Sequence, residues 1–184
     1  MFYENCEADA TIWSAIITSL VIAIGWFITK EFENEHKENE EKLSFVQRQI
    51  EEFYGPLYNI TKQIENYGKV LKKLKQTKKS SPKDIDMYFH VNYFVKLHKE
   101  ILEILKHKYH LVSEDHTKDV FDNYMRYVLQ LIAQIEMYKY ENIETDDIDN
   151  NGSDIEFNKF VDEGLSEAEK RRSKILNRKK MRFL

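Results

Sequence analysis

The stretch Ala10 to Thr29, ATIWSAIITSLVIAIGWFIT, contains no charged residue. Twenty residues in a helix rise about 30 Å, the thickness of a bilayer's hydrocarbon core. The run therefore predicts one transmembrane helix over residues 10–29, and everything after it hangs from a membrane. Trp13 and Trp26 stand near its two ends, where amphipathic rings favour the headgroup level. A cleaved signal peptide fits worse, because no basic segment precedes the apolar core and no small-residue cleavage region follows it.

The flanks set an orientation. Glu4, Glu7 and Asp9 precede the span without a Lys or Arg, and Lys30, Lys37 and Lys42 follow it. Positive charge stays inside, so residues 1–9 are expected outside an inner, cytoplasmic membrane and the rest in the cytoplasm. The single cysteine, Cys6, then falls on the external side, as a free thiol or an intermolecular disulfide.

About 150 residues remain behind the span, enough for one compact core. Five glycines and two prolines are too few for a turn-rich sheet protein, so the fold class expected is all-α. The expected organisation is an external N-terminus at 1–9, a span at 10–29, a heptad stalk and first bundle helix at 30–76, and a cytoplasmic helical bundle at 77–184. The bundle carries an acidic loop at 144–154 and a basic C-terminal helix.

The stalk rests on spacing. Leu43, Val46, Ile50, Phe53, Leu57, Ile60, Ile64, Tyr67, Leu71 and Leu74 alternate steps of three and four, the seam of helices packed at a shallow angle. The seam holds phase through Gly55-Pro56, which predicts one long helix or two nearly coaxial ones, kinked or restarted at Pro56. One helix cannot bury such a seam alone, so Leu43, Val46, Ile50 and Phe53 are expected to join about two to four copies of the chain. His36 and Asn39 extend the seam as polar interruptions that fix register, or else belong to an exposed linker dense in charge. Within the span, Ala15, Ser19 and Ala23 offer small residues every fourth position for close helix packing. A lone anchor is the alternative.

Beyond the seam, Lys69, Lys72, Lys73, Lys75, Lys78, Lys79 and Lys83 form a lysine-rich hinge. Ser80-Ser81-Pro82 predicts a helix start near Lys83. This helix, with a possible break near Asn92, presents Phe94, Leu97, Ile101 and Leu105 on one face. A partner from about Glu114 to Tyr140 presents Val120, Tyr124, Val128, Leu131, Ile135 and Tyr138, and the two are expected to form an antiparallel hairpin. In ETDDIDNNGSDIE, Asp147, Asp149, Asn151 and Gly152 match half a calcium loop, but Asn158 stands where a bidentate Glu is needed. An acidic linker is the better reading. Ser153 then caps a short helix through Phe160, and Ser166 with Glu169 a separate last helix.

Residues 166–184 hold eight Lys or Arg against two Glu, in a chain whose formal charge is −4. Such a tail suits an anionic leaflet or a phosphodiester ligand, or simply balances the acidic body. Arg171 and Arg172, with planar forks, and Lys72, Lys73 and Lys79 are the candidate anion contacts. Nothing points to catalysis, a cofactor or a duplex nucleic acid. No glycine-rich phosphate loop, nucleophile elbow or paired metal-ligand motif occurs. His107, His110 and Glu103 make only an unspecific metal spacing, and His98, on an apolar face, reads as a satisfied core residue.

The segments EEFYGPLYNI and LHKEILEILKHKYHLV, followed by a Tyr-rich helix, resemble small bacterial single-pass membrane proteins, some associated with antiviral defence. The layout is similar to the membrane-bound effectors of type III CRISPR systems, which pair an N-terminal membrane helix with a cytoplasmic domain that binds a cyclic oligoadenylate. The resemblance implies a membrane-anchored, oligomeric, non-enzymatic effector that senses a nucleotide or other anion and perturbs the membrane. The alternative is a structural or adaptor protein that presents a helical interaction module at the membrane.

Overall fold

The structure is a computed structural model that describes residues 4–77, 82–112, 118–141 and 153–181. Among these the chain is helical almost throughout: α1 (Glu4–Arg48), α2 (Gly55–Thr77), α3 (Pro82–Phe89), α4 (Val95–Lys108), α5 (Lys118–Glu141) and α6 (Ser153–Met181). Two π-helical turns, Gln49–Tyr54 and His90–Phe94, join α1 to α2 and α3 to α4. The chain divides into two compact units, Met1–Ser44 and Phe45–Leu184.

The first unit is helix alone. From Trp13 to Thr29 every side chain is exposed, and this is the one helix among the described residues long and apolar enough to cross a membrane. Three of its hydroxyls are satisfied internally: Thr18, Ser19 and Thr29 each donate to the carbonyl four residues back, at 2.8 to 2.9 Å. Lys30 Nζ lies 4.7 Å from the centre of the Trp26 ring, a cation–π pair at the end of the apolar run. Beyond it His36–Glu40 and Lys42–Glu38 pair along the helix surface, each worth a few tenths of a kcal/mol. His36 is exposed and Leu43 half-buried.

The second unit begins at Phe45, inside the 30–76 segment that the sequence reads as stalk and first bundle helix. The reason is that the seam is spent inside the chain. Val46, Phe53, Leu57 and Ile60 are buried in one core with Leu97, Ile101, Leu105, Phe121, Tyr124, Val128, Phe157 and Val161, and Ile50 packs against it. For Val46, Ile50 and Phe53, the apolar area assigned from the sequence to a partner copy is covered by helices of the same chain.

Gly55-Pro56 is absorbed without a break. Pro56 lacks an amide and crowds the preceding turn, and the π turn before it widens that turn by one residue, with Gly55 N–H bonded to Ile50 O. A Cβ on Gly55 would stand 2.5 Å from that oxygen, which is why glycine occupies this position. The second π turn, with Val95 N–H on His90 O, falls where the sequence suggests a break near Asn92. The Asn92 amide donates to Tyr88 O at 2.8 Å.

Contact pairs set the directions of the helices in the second unit. Gln49 donates to Leu111 O at 2.6 Å, Glu52 pairs with Lys108, Tyr67 stacks on Tyr93, and Lys75 pairs with Asp86. The two residue numbers in each pair total nearly the same value, so α3–α4 runs antiparallel to α2. In the same way Tyr124–Phe157 and Phe121–Phe160 make α6 antiparallel to α5, and the His98–Tyr127 and Tyr109–Phe121 contacts make α5 antiparallel to α4.

One sequence expectation is corrected here. Residues 153–181 form a single helix rather than a short helix and a capped last one. Phe157, Val161 and Ala168 are buried and share one face with Gly164 between them. A Cβ on Gly164 would lie 2.2 Å from the Tyr54 ring, so this glycine is a packing notch.

Candidate functional site

The end of the bundle formed by the last turns of α2 with α3 and the second π turn is built from aromatic rings. The run YFHVNYF places Tyr88, Phe89, Tyr93 and Phe94 within seven residues. Phe89 and Phe94 are buried with Leu71 in a satellite core against which Tyr67 and Tyr93 pack, and Tyr67 also touches the main core. Tyr67 and Tyr93 stack at 4.7 Å with planes 28° apart, and Phe89 and Phe94 meet Tyr67 edge-on at 6.5 Å. Tyr88 is 56% exposed, and its hydroxyl contact with Tyr93 raises the Tyr93 pKa above the ordinary phenol value.

Two features add polarity to this end. The His90 ring lies 5.1 Å from that of Phe94 with planes 53° apart, and its Nδ1 is enclosed without a hydrogen-bond partner among the described residues. Burial holds its pKa below the usual histidine value, with the nearby Asp86 charge opposing and Lys75 reinforcing. Lys75 pairs with Asp86, while Lys69, Lys72 and Lys73 are exposed and form no ion pair among the described residues. Lys79 lies outside the described residues. An exposed tyrosine can take a planar ring by stacking, and the ammonium groups, which α2 carries on faces turned away from Tyr67 and Leu71, can take a phosphate by charge. Sequence reasoning found the lysines and missed the rings, although four aromatics in seven residues were there to be counted.

At mid-bundle His98 is a satisfied core residue. Its Nδ1 shares a 2.8 Å hydrogen bond with the Tyr124 hydroxyl, and Phe157 stacks on Tyr124 at 3.8 Å. Burial first, then the His90 charge, lowers the His98 pKa to about 4, against a smaller opposing pull from Asp154. Burial likewise raises the Tyr124 and Tyr127 pKa values. This pair is buried too completely to meet a solute.

The opposite end of the bundle carries the basic part of α6. Arg171 is half-buried and engaged within the protein. Lys170, Arg172, Lys174 and Arg178 are exposed and form no ion pair among the described residues. The two predicted anion clusters are therefore not brought together in one chain. Taking Tyr54 against Gly164 as the crossing point, Lys72 lies five turns one way along α2 and Arg171 two turns the other way along α6, a separation of roughly 35 Å.

The histidine and glutamate spacing resolves into two separate contacts. His107 Nε2 meets Glu103 at 3.2 Å, and His110 Nε2 faces the Arg48 guanidinium at 3.5 Å. Among the described residues no three His, Cys, Asp or Glu side chains come together in a way that could hold a metal ion. The calcium-like residues Asp147, Asp149, Asn151 and Gly152 lie outside the described residues. Ala15, Ser19 and Ala23 are all exposed on α1. Compared with protein-family models, curated proteins and solved structures, the chain matches none.

Proposed function

We propose that this chain is a membrane-anchored helical effector, of the antiviral-defence type that its layout resembles. Residues 10–29 cross the cytoplasmic membrane with residues 1–9 outside. About two to four copies associate through the span face Ala15, Ser19 and Ala23, where small residues allow close approach. The bundle, in the cytoplasm, receives a nucleotide-type anion at its aromatic end. The observation that carries this reading is that the end of the bundle with the exposed Tyr88 ring and the Tyr67–Tyr93 stack also bears, on other faces of α2, the exposed Lys72 and Lys73, which form no ion pair among the described residues. A base stacks on the tyrosines, and phosphates meet the lysines and those of neighbouring copies. The uninterrupted helical course from span to core, α1 through the π turn into α2, supports transmission of the signal to the membrane.

The test is a thermal-shift screen of the full chain in nanodiscs with cyclic oligoadenylates and cyclic dinucleotides. A ligand at 100 times its dissociation constant stabilises by about 2.7 kcal/mol. Tyr88→Ala and Lys72→Gln with Lys73→Gln should each remove the shift, together with growth arrest on expression. A ligand shift that survives all three changes would move the sensing surface elsewhere.

An adaptor reading is favoured by a different observation. Met125, Leu129 and Met137 on α5 and Ile155 on α6 are exposed apolar side chains of the kind that mark protein contacts. No nucleotide shift and no growth arrest, with loss of a co-purifying partner on Leu129→Asp, would support that reading instead.

A further inference from the structure

Two enclosed polar atoms in this half of the bundle, His90 Nδ1 and Gln134 Oε1, have no hydrogen-bond partner among the described residues. Helical phase sets them opposite each other. Tyr127 and Gln134 are seven residues apart on α5, close to two full turns, and so share a face. His90 precedes His98 by eight residues, but the second π turn takes up one of them, so His90 falls on the face of His98 as a seven-residue step would. His98 meets Tyr127 edge-on at 5.9 Å, and one such step along the same antiparallel pair brings His90 across from Gln134. The flanking rings agree with this placement. Phe89 and Tyr93 both turn to Tyr67 of α2, which leaves His90, between them in the chain, turned toward α5.

A third side comes from α2. Lys75 pairs with Asp86, so the face of α2 that bears Lys75 looks at α3 and the π turn. Gly68 lies seven residues earlier on that face, and the antiparallel register sets it level with the π turn. It is half-buried, and a Cβ on it would meet nothing within 4 Å. Gly55 and Gly164 each answer to an atom that a Cβ would strike. Gly68 answers to none, although a glycine inside a helix costs stability. Open space thus adjoins two polar atoms that lack partners. Burial selects an uncharged occupant. Gln134 Oε1 only accepts, so the occupant carries an N–H or O–H, whereas a neutral imidazole nitrogen can donate or accept. The Phe94 ring beside His90 and Ile64, one turn before Gly68, add apolar surface. We infer that Gly68, His90 and Gln134 border a binding site for a small, uncharged, planar molecule whose edge sets an amine donor beside a ring-nitrogen acceptor. The site is apart from the exposed Tyr88 ring and rests on neither the membrane reading nor the nucleotide reading.

The measurement titrates the full chain in detergent micelles, its histidines labelled with nitrogen-15, with 2-aminopyrimidine, which is uncharged at neutral pH and carries an amine beside a ring nitrogen. The His90 ring signals, assigned by their loss in His90→Phe, should shift and saturate. The control ring 2-methylpyrimidine lacks the donor and should bind roughly tenfold more weakly, the loss expected for about one hydrogen bond. Gln134→Leu should weaken 2-aminopyrimidine by a similar factor and leave 2-methylpyrimidine unchanged, a split that a packing defect would not give. Gly68→Leu fills the space, so it should abolish binding of both rings while raising Tm, since leucine is the better helix former. Absence of a saturable shift, or equal binding of the two rings, would overturn the inference and leave the two polar atoms to an ordered water only. Binding that survives Gly68→Leu would overturn it as well, because the ring would then sit elsewhere.

Discussion

His98 shows how one buried side chain fixes the behaviour of the whole core in acid. Native His98 stays neutral down to about pH 4 because burial opposes its charge, while an unfolded chain protonates it near pH 6.5. Above pH 6.5 both states are neutral and the group contributes no slope. Between pH 6.5 and about 4 only the unfolded chain takes the proton, so stability falls with pH, by up to about 3 kcal/mol at the lower limit. His90, lowered by its own burial, acts with the same sign. Urea midpoints of the full chain at pH 7.5 and 4.5 should differ accordingly, and His98→Gln should flatten most of the difference. An unchanged slope in that variant would place the acid sensitivity elsewhere.

At the level of elements, Gly164 decides how closely α6 meets the π turn. The Tyr54 ring that a Cβ would strike is itself held edge-on to Phe53 at 5.0 Å and near Phe160 at 5.9 Å, so it has little room to yield. Gly164→Ala should cost about 1–3 kcal/mol, the usual penalty for overpacking, and much less in a Tyr54→Leu background. Equal Tm values for Gly164→Ala and the parent would show that the helices can separate freely. The same residue explains a limit of sequence reading. The three-and-four spacing of Val46 to Leu74 and of Val120 to Tyr138 was legible because periodicity reports which face is apolar. It does not report who covers that face, and so Val46 and Phe53 were assigned to another copy when Phe121, Tyr124 and Phe157 of the same chain cover the core. Phe160 looked like an end and Ser166 like a start because local propensity cannot see the Tyr54 ring packed across from Gly164. The phase of Phe157, Val161 and Ala168 carried the correct signal.

For the whole molecule, the arrangement separates two chemistries. An aromatic, lysine-bearing end and the exposed basic part of α6 stand at opposite ends of the second unit. The lysines and arginines of both ends were legible as charge, yet their separation was not, because it depends on the antiparallel course of α6. The account as a whole stands on the sidedness of the membrane, and cysteine accessibility tests this most directly. In intact cells an impermeant maleimide should label Cys6, whereas a cysteine at exposed Lys99, in a Cys6→Ser background, should react only after lysis. Labelling of the Lys99→Cys variant in intact cells, with Cys6 protected, would contradict the account, since the bundle would then face away from any cytoplasmic signal.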